Sequence, residues 1–166
     1  MRFDGQVWFD FSTPSVWVFY QWLRSLAQTD TEVSIEWLPY PADGEKRAMA
    51  TLLGIEGADD RGRFIHAMLG LAHIEKRPVN DRSTVLAALD AAGLESDIVR
   101  DDHPLLEELS VRADGLGIDA LPSLVRHGPV LSIQLNPAVL DARPRRVAKI
   151  INGVIDNDGI WELRKP

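Results

Sequence analysis

The sequence has no cysteine at any of its 166 positions. Intramolecular disulfides, a catalytic thiol of its own and thiolate metal sites are therefore excluded. Basic charge is also short: 18 Lys and Arg face 25 Asp and Glu, a net charge of −7. Nucleic acid or an anionic membrane as main partner would need a clustered basic surface, so neither is expected. No apolar run approaches the roughly 18 residues that span a membrane. The chain opens Met-Arg-Phe-Asp, without the basic and apolar stretches of a secretory signal, so the expected location is the cytoplasm. Gly115-Leu116-Gly117 lacks the third glycine of a dinucleotide fingerprint and precedes a strand pattern, not a helix. No Gly-x-Ser-x-Gly elbow and no Walker loop occur. Internal repeats and low-complexity segments are absent too.

What is present suits one ordinary globular domain with a sizeable core, 45% apolar and 26% charged. Its organising stretch is Val7 to Trp17. Val7-Trp8-Phe9-Asp10-Phe11 reads as a strand buried on both faces. Ser12 and Thr13 are N-cap residue types, and Pro14 suits a first helical position. Val16, Trp17, Phe19, Tyr20, Trp22, Leu23 and Leu26 then give an apolar helix. Glu32 to Leu38 alternates polar and apolar as a second strand, stopped by Pro39 and Pro41, and parallel to the first if the unit is β-α-β. From Asp43 to about Gly115 the periodicity is helical. Segments are expected over Glu45–Leu53, from a cap at Asp59 or Asp60 to Pro78, from Asp81 or Ser83 to Gly93, and after Pro104. Pro122–Val125 and Val130–Ile133 read as an antiparallel hairpin turning at His127-Gly128-Pro129. Ala138–Leu140 is a weak helical piece. Arg145–Val154 is a clearer one, stopped at Asn157-Asp158-Gly159, and Ile160–Leu163 is an edge strand or docked tail.

The candidate site residues each have a plain alternative. A strand that runs into a helix start points backbone N–H groups and a positive dipole end into a cleft. There Ser12, Thr13 and Ser15 read as capping hydroxyls, or as hydroxyls that hold a bound thiolate. His66 and His73 can share a helix face, but no metal motif accompanies them and they read as surface histidines. Arg143, Arg145, Arg146 and Lys149 read as a solvated helix face, or as a carboxylate clamp. Trp17, Trp22, Trp37, Phe9 and Phe11 read as core, with Trp8 and Trp17 flanking the cleft.

Phe9-Asp10-Phe11-Ser12-Thr13-Pro14-Ser15-Val16-Trp17 resembles the active-site segment of DsbA-like thioredoxin-fold proteins, where the order is strand, Cys-Pro-x-Cys, helix. It is equally similar to the cysteine-free branch around 2-hydroxychromene-2-carboxylate isomerase and kappa-class glutathione transferases, in which a Ser precedes the Pro. Thr13 stands at the position of the first Cys or of that Ser, and Val16 at the second Cys. Gly117-Ile118-Asp119-Ala120-Leu121-Pro122-Ser123-Leu124-Val125 resembles the family's cis-proline loop. Gly128-Pro129-Val130-Leu131-Ser132 is similar to a segment of actinobacterial mycothiol-linked reductases. The resemblance implies an α/β fold: a thioredoxin-like core (1–42 and 117–166) with an all-helical insertion (43–116). It also implies a cis bond at Leu121-Pro122, with the Leu121 backbone open to an extended peptide or to the cysteinyl part of a thiol cofactor.

Two functions follow as expectations. One is a redox-inactive protein that binds a ligand or partner in the groove of Thr13 and Pro122. The other is a glutathione- or mycothiol-dependent isomerase, transferase or oxidoreductase. In it Thr13 or Ser15 holds the cofactor thiolate, and Ser12, Thr13, Leu121 and Pro122 dock the cofactor. Without a cysteine the chain cannot perform thiol–disulfide exchange with its own residues, and apolar Val16 tips the balance to the first. A small thiol or a peptide is the expected ligand, and a homodimer is left open.

Overall fold

Strand alternation sets the two faces of the sheet. In β1, Arg2–Phe9, the side chains of Phe3, Val7 and Phe9 lie on one face and Trp8 on the other, all fully buried. The structure, a computed structural model, describes residues 1–156. β1 leads through α1 (Pro14–Ala27) to β2 (Glu32–Pro39), which lies parallel to it in the register Arg2↔Glu32 to Phe9↔Pro39. Four α-helices follow before the next strand: α2 (Lys46–Gly54), α3 (Ala58–His73), α4 (Arg82–Ala91) and α5 (Leu105–Leu116). β3 (Ser123–Val125) and β4 (Val130–Ser132) form the antiparallel hairpin, and α6 (Pro144–Asp156) closes the described chain. The sheet order is β2-β1-β3-β4, with β3 antiparallel to β1.

The larger core joins Phe3, Val7 and Phe9 to Phe19, Trp22 and Leu26 of α1, to α2–α4, and to Ala148 and Ile151 of α6. A smaller core seats Trp8 and Leu38 against Leu109 and Ala113 of α5 and against Ile118. Burying a large apolar side chain contributes roughly 1.5–3 kcal/mol, so the all-round burial of β1 is what anchors the layers. Buried Arg126 ties the hairpin down: its guanidinium donates to the Asp4 carbonyl at 2.7 and 2.8 Å and to Asn152 Oδ1 at 3.0 Å. α4 is followed by Gly93 (φ +71°) and α5 by Gly117 (φ +69°), the left-handed residues that end helices. Among the described residues no helix is long and apolar enough to cross a membrane.

Several boundaries differ from the sequence expectation, each for a local reason. β1 begins at Arg2, before the aromatic run, because its first half pairs with β2 even where its side chains are half-exposed. It ends at Phe9, so Asp10 and Phe11 lie in a loop whose backbone is bonded to side chains instead of a ladder. Gly57 is the N-cap of α3, and Asp59 and Asp60 fall inside its first turn, where negative charge suits the dipole. α3 stops at His73, five residues ahead of Pro78. Residues 137–141 form a 3-10 turn. The expected stop at Asn157-Asp158-Gly159 and the Ile160–Leu163 tail lie outside the described residues.

Gly5 shows how tightly β1 and β3 meet. Its φ is +141°, and a Cβ there would lie 2.7 Å from Leu124 Cδ1 and 2.9 Å from the Val125 carbonyl oxygen. Gly5→Ala is therefore expected to lose about 1–3 kcal/mol. Chemical denaturation with the slope m unchanged checks this; wild-type stability would show that the strand pair gives way freely.

Candidate functional site

The loop from Asp10 to Thr13 is held almost wholly by side chains. The buried Asp10 carboxylate folds back over it: Oδ1 accepts the Thr13 N–H at 2.9 Å and Oδ2 accepts the Thr13 hydroxyl at 2.7 Å. Phe11 is fully buried, and both its peptide groups are taken. Its N–H is shared by the two oxygens of Glu45, at 3.2 and 3.4 Å. Its carbonyl accepts the Nε2–H of His73 at 2.8 Å. Glu45 is the N-cap residue of α2 and His73 the last residue of α3, so the helical segment clamps the loop from two sides. The His73 ring also stacks on Trp17, with centroids 5.6 Å apart and planes 6° from parallel.

Two carboxylates thus meet under the start of α1. Burial pushes the Glu45 carboxyl up to about 7, and the nearby Asp10 charge adds to the rise. Hydrogen bonds from Ser12 and Phe11 pull against it. Burial holds His73 below the usual imidazole range, so it is neutral and donates from Nε2.

On the solvent side the polar groups form a short chain. Ser15 Oγ–H donates to Gln134 Oε1 at 2.9 Å, and Gln134 Nε2–H donates to the Leu121 carbonyl at 3.0 Å. The Leu121-Pro122 peptide bond is cis. The surface between the start of α1, with Thr13 and Ser15, and the Leu121-Pro122 bond is bridged by an exposed glutamine and is the candidate groove. None of the five principal clefts is lined by any of these four residues. The largest, about 760 Å³, lies between the loop after β2 and the start of α5, among Pro41, Lys46, Met49, Asp102 and Leu106.

Other sequence candidates go elsewhere. Thr13 is the N-cap residue, but its hydroxyl accepts no capping bond from the helix N–H groups and instead donates to Asp10. Ser12 is exposed, and its hydroxyl bonds the Glu45 carboxyl. Trp8 is fully buried against α5 and flanks no cleft. His66 is exposed and pairs with the Tyr20 hydroxyl at 3.0 Å, whereas His73 is a half-buried part of the clamp and not a surface histidine. Arg143, Arg145, Arg146 and Lys149 surround a hollow with Thr29, beyond the far end of α1. A helix of that length rises about 20 Å, so these residues are no clamp for anything bound at Thr13. They sit instead at the negative end of the α1 dipole. Glu45, His73 and Gln134 were not singled out as a unit by sequence reasoning. Their only signal was a titratable or amide side chain at an element end, which is too common to choose by.

No family model matches the chain, and no curated protein matches it. Solved structures do. Pseudomonas aeruginosa DsbA superposes with a TM-score of 0.62 over 93% of this chain and 83% of its own, at 12% identity. Reduced DsbL gives 0.55 over 88% and 90%, at 18% identity. Salmonella enterica serovar Typhimurium DsbL gives 0.57 over 91% and 87%, at 15% identity. The fold is DsbA-like. At such identities the likeness is one of fold alone, and this DsbA-like chain has no cysteine.

The Glu45 carboxyl generates a pH signature. Its folded value of about 7 lies above the 4.5 of the unfolded chain. The folded state thus holds a proton the unfolded state has lost between those values. Its stabilisation is present below pH 4.5 and is lost as pH rises towards 7, a difference on the order of 3 kcal/mol. Glu45→Gln keeps an oxygen for the Phe11 N–H and carries no charge. Melting curves of the variant and wild type are expected to be close at pH 4.5 and to diverge by several degrees above pH 7, the variant melting higher. A constant offset across that window would show that Glu45 does not titrate in the fold.

Proposed function

We propose that this chain is a redox-inactive DsbA-like binding protein whose groove at Thr13, Ser15, Leu121 and Pro122 takes an extended polypeptide. The carrying observation is where the hydroxyl hydrogens point. Thr13 spends its hydrogen on Asp10 and Ser15 spends its own on Gln134, so the groove is offered lone pairs and not donors. A thiolate needs donors and nearby positive charge. Beneath this helix start lies the Asp10 carboxylate instead, which acts against a bound anion, with the Glu45 carboxyl beside it. Backbone N–H groups of an extended chain are the complement of the Leu121 carbonyl and the Thr13 and Ser15 oxygens. The low depth of the groove agrees, since an extended chain needs a surface to lie on and a small cofactor needs a cavity.

The glutathione- or mycothiol-dependent alternative requires Thr13 or Ser15 to release its partner and turn its hydrogen outward. Titration calorimetry separates the two readings, with reduced carboxymethylated α-lactalbumin as a permanently unfolded chain and with reduced glutathione and mycothiol as thiols. The expected result is binding of the unfolded chain, weakened at least several-fold by Ser15→Arg, which fills the groove. Melting temperature is expected to stay put with either thiol. Stabilisation by a thiol at a hundred times its dissociation constant would be about 2.7 kcal/mol. Such a rise, abolished by Thr13→Ala, would make the chain a thiol-cofactor enzyme and overturn the binding reading.

A further inference from the structure

The Gln134 side chain carries a primary amide, the same donor and acceptor pair as a peptide group. It lies exposed just beyond β4, held by two bonds across the groove: its oxygen accepts from Ser15 and its nitrogen donates to the Leu121 carbonyl, with a weaker contact to Ser132 Oγ at 3.3 Å. The link from β4 to the cis-proline loop does not run through it, since the Ile133 N–H donates to the Pro122 carbonyl at 2.8 Å. What Gln134 satisfies is what the hairpin leaves over, the Leu121 carbonyl and the Ser15 hydroxyl. Gln134 supports no core: its neighbours Ile133 and Leu135 turn inward and it turns out.

We propose that Gln134 is an intramolecular stand-in for the bound chain, a gate that an incoming peptide must displace. This rests on the reading of the groove as a polypeptide site. An extended chain laid along residues 121–122 reaches the Leu121 carbonyl with a backbone N–H, at the place now held by Gln134 Nε2. The same chain's carbonyl can accept the Ser15 hydroxyl that Gln134 Oε1 now accepts. Each bond gained by the ligand is thus one lost by Gln134, and binding is weaker than the groove alone would allow. Displacement also selects. A ligand that offers only an acceptor can take the freed Ser15 hydroxyl but cannot replace the bond to Leu121, so an anion or thiolate regains one of the two bonds that opening the gate breaks. A chain with a free N–H at that point regains both.

The test uses the full chain with reduced carboxymethylated α-lactalbumin as probe. Gln134→Ala removes both bonds, and Gln134→Asn is one methylene too short to span from Ser15 to Leu121. Both are expected to bind the probe about 3–10-fold more tightly than wild type, the worth of one net hydrogen bond. Gln134→Glu keeps an acceptor for Ser15 but sets a carboxylate against the Leu121 carbonyl, and is expected to bind as tightly as the alanine variant. In wild type, the Gln134 side-chain NH₂ resonances are expected to show slowed exchange that the probe removes. Equal affinity of wild type and both shortened variants would overturn the gate and leave the groove reading standing. Weaker binding by Gln134→Ala would make Gln134 a contact for the ligand, not its substitute, and overturn the gate as well. No binding by wild type or any Gln134 variant would overturn the gate together with the reading beneath it.

Discussion

One buried peptide unit, that of Phe11, decides how this molecule presents its helix start. The aromatic ring is in the core, so its N–H and C=O cannot reach water. An unpaired buried polar group costs about 1–3 kcal/mol, and no strand is there to pair with. Glu45 and His73 supply the partners, one from each of two helices of the segment between β2 and β3. The orientation of Ser12, the placement of Asp10 and the stacking of Trp17 all follow from that arrangement. The helical segment and the sheet are thereby joined at the site by polar bonds as well as by the shared core.

The same arrangement sets the electrostatics. A helix N-terminus ordinarily favours an anion through its dipole, worth about 0.3–1 kcal/mol at the surface. Here Asp10 already occupies that end, by accepting the Thr13 N–H, and Glu45 lies beside it. The chain has no cysteine to present a thiolate of its own there, and an internal carboxylate occupies the end. The protonation of Glu45 near neutral pH is the consequence of crowding two acids into one dry place, since one of them gives up its charge more cheaply than both can be kept.

Much of the fold was legible because it is written in period. The alternation of β2, the apolar stripe of α1, the glycine after α4 and the hairpin around His127-Gly128 are local signals. They yielded the right elements to within a few residues. The site was legible only in part. Thr13 and Ser15 were found by their place before and after Pro14. Pro122 was found by the loop that carries it. The roles of Glu45 and His73 were invisible because they are made by contacts 34 and 62 residues away, and nothing in the neighbourhood of either residue says what it will meet. The surroundings of the Thr13 hydroxyl are hidden for a related reason: sequence gives the hydroxyl, but only the fold shows where its hydrogen goes.

The shape of the groove completes the argument. The large cleft of about 760 Å³ is elsewhere, and its lysine is already paired, Lys46 with Asp102 at 3.0 Å. The groove at Thr13 has no such depth because Val16 fills the inside of the first helical turn and Leu121 packs into both cores. A surface closed from below by these side chains and rimmed by oxygens supports the proposed reading, because it offers a line of backbone-sized contacts instead of a cavity. That is the geometry an extended chain presents, and it is also the geometry that a single glutamine can imitate.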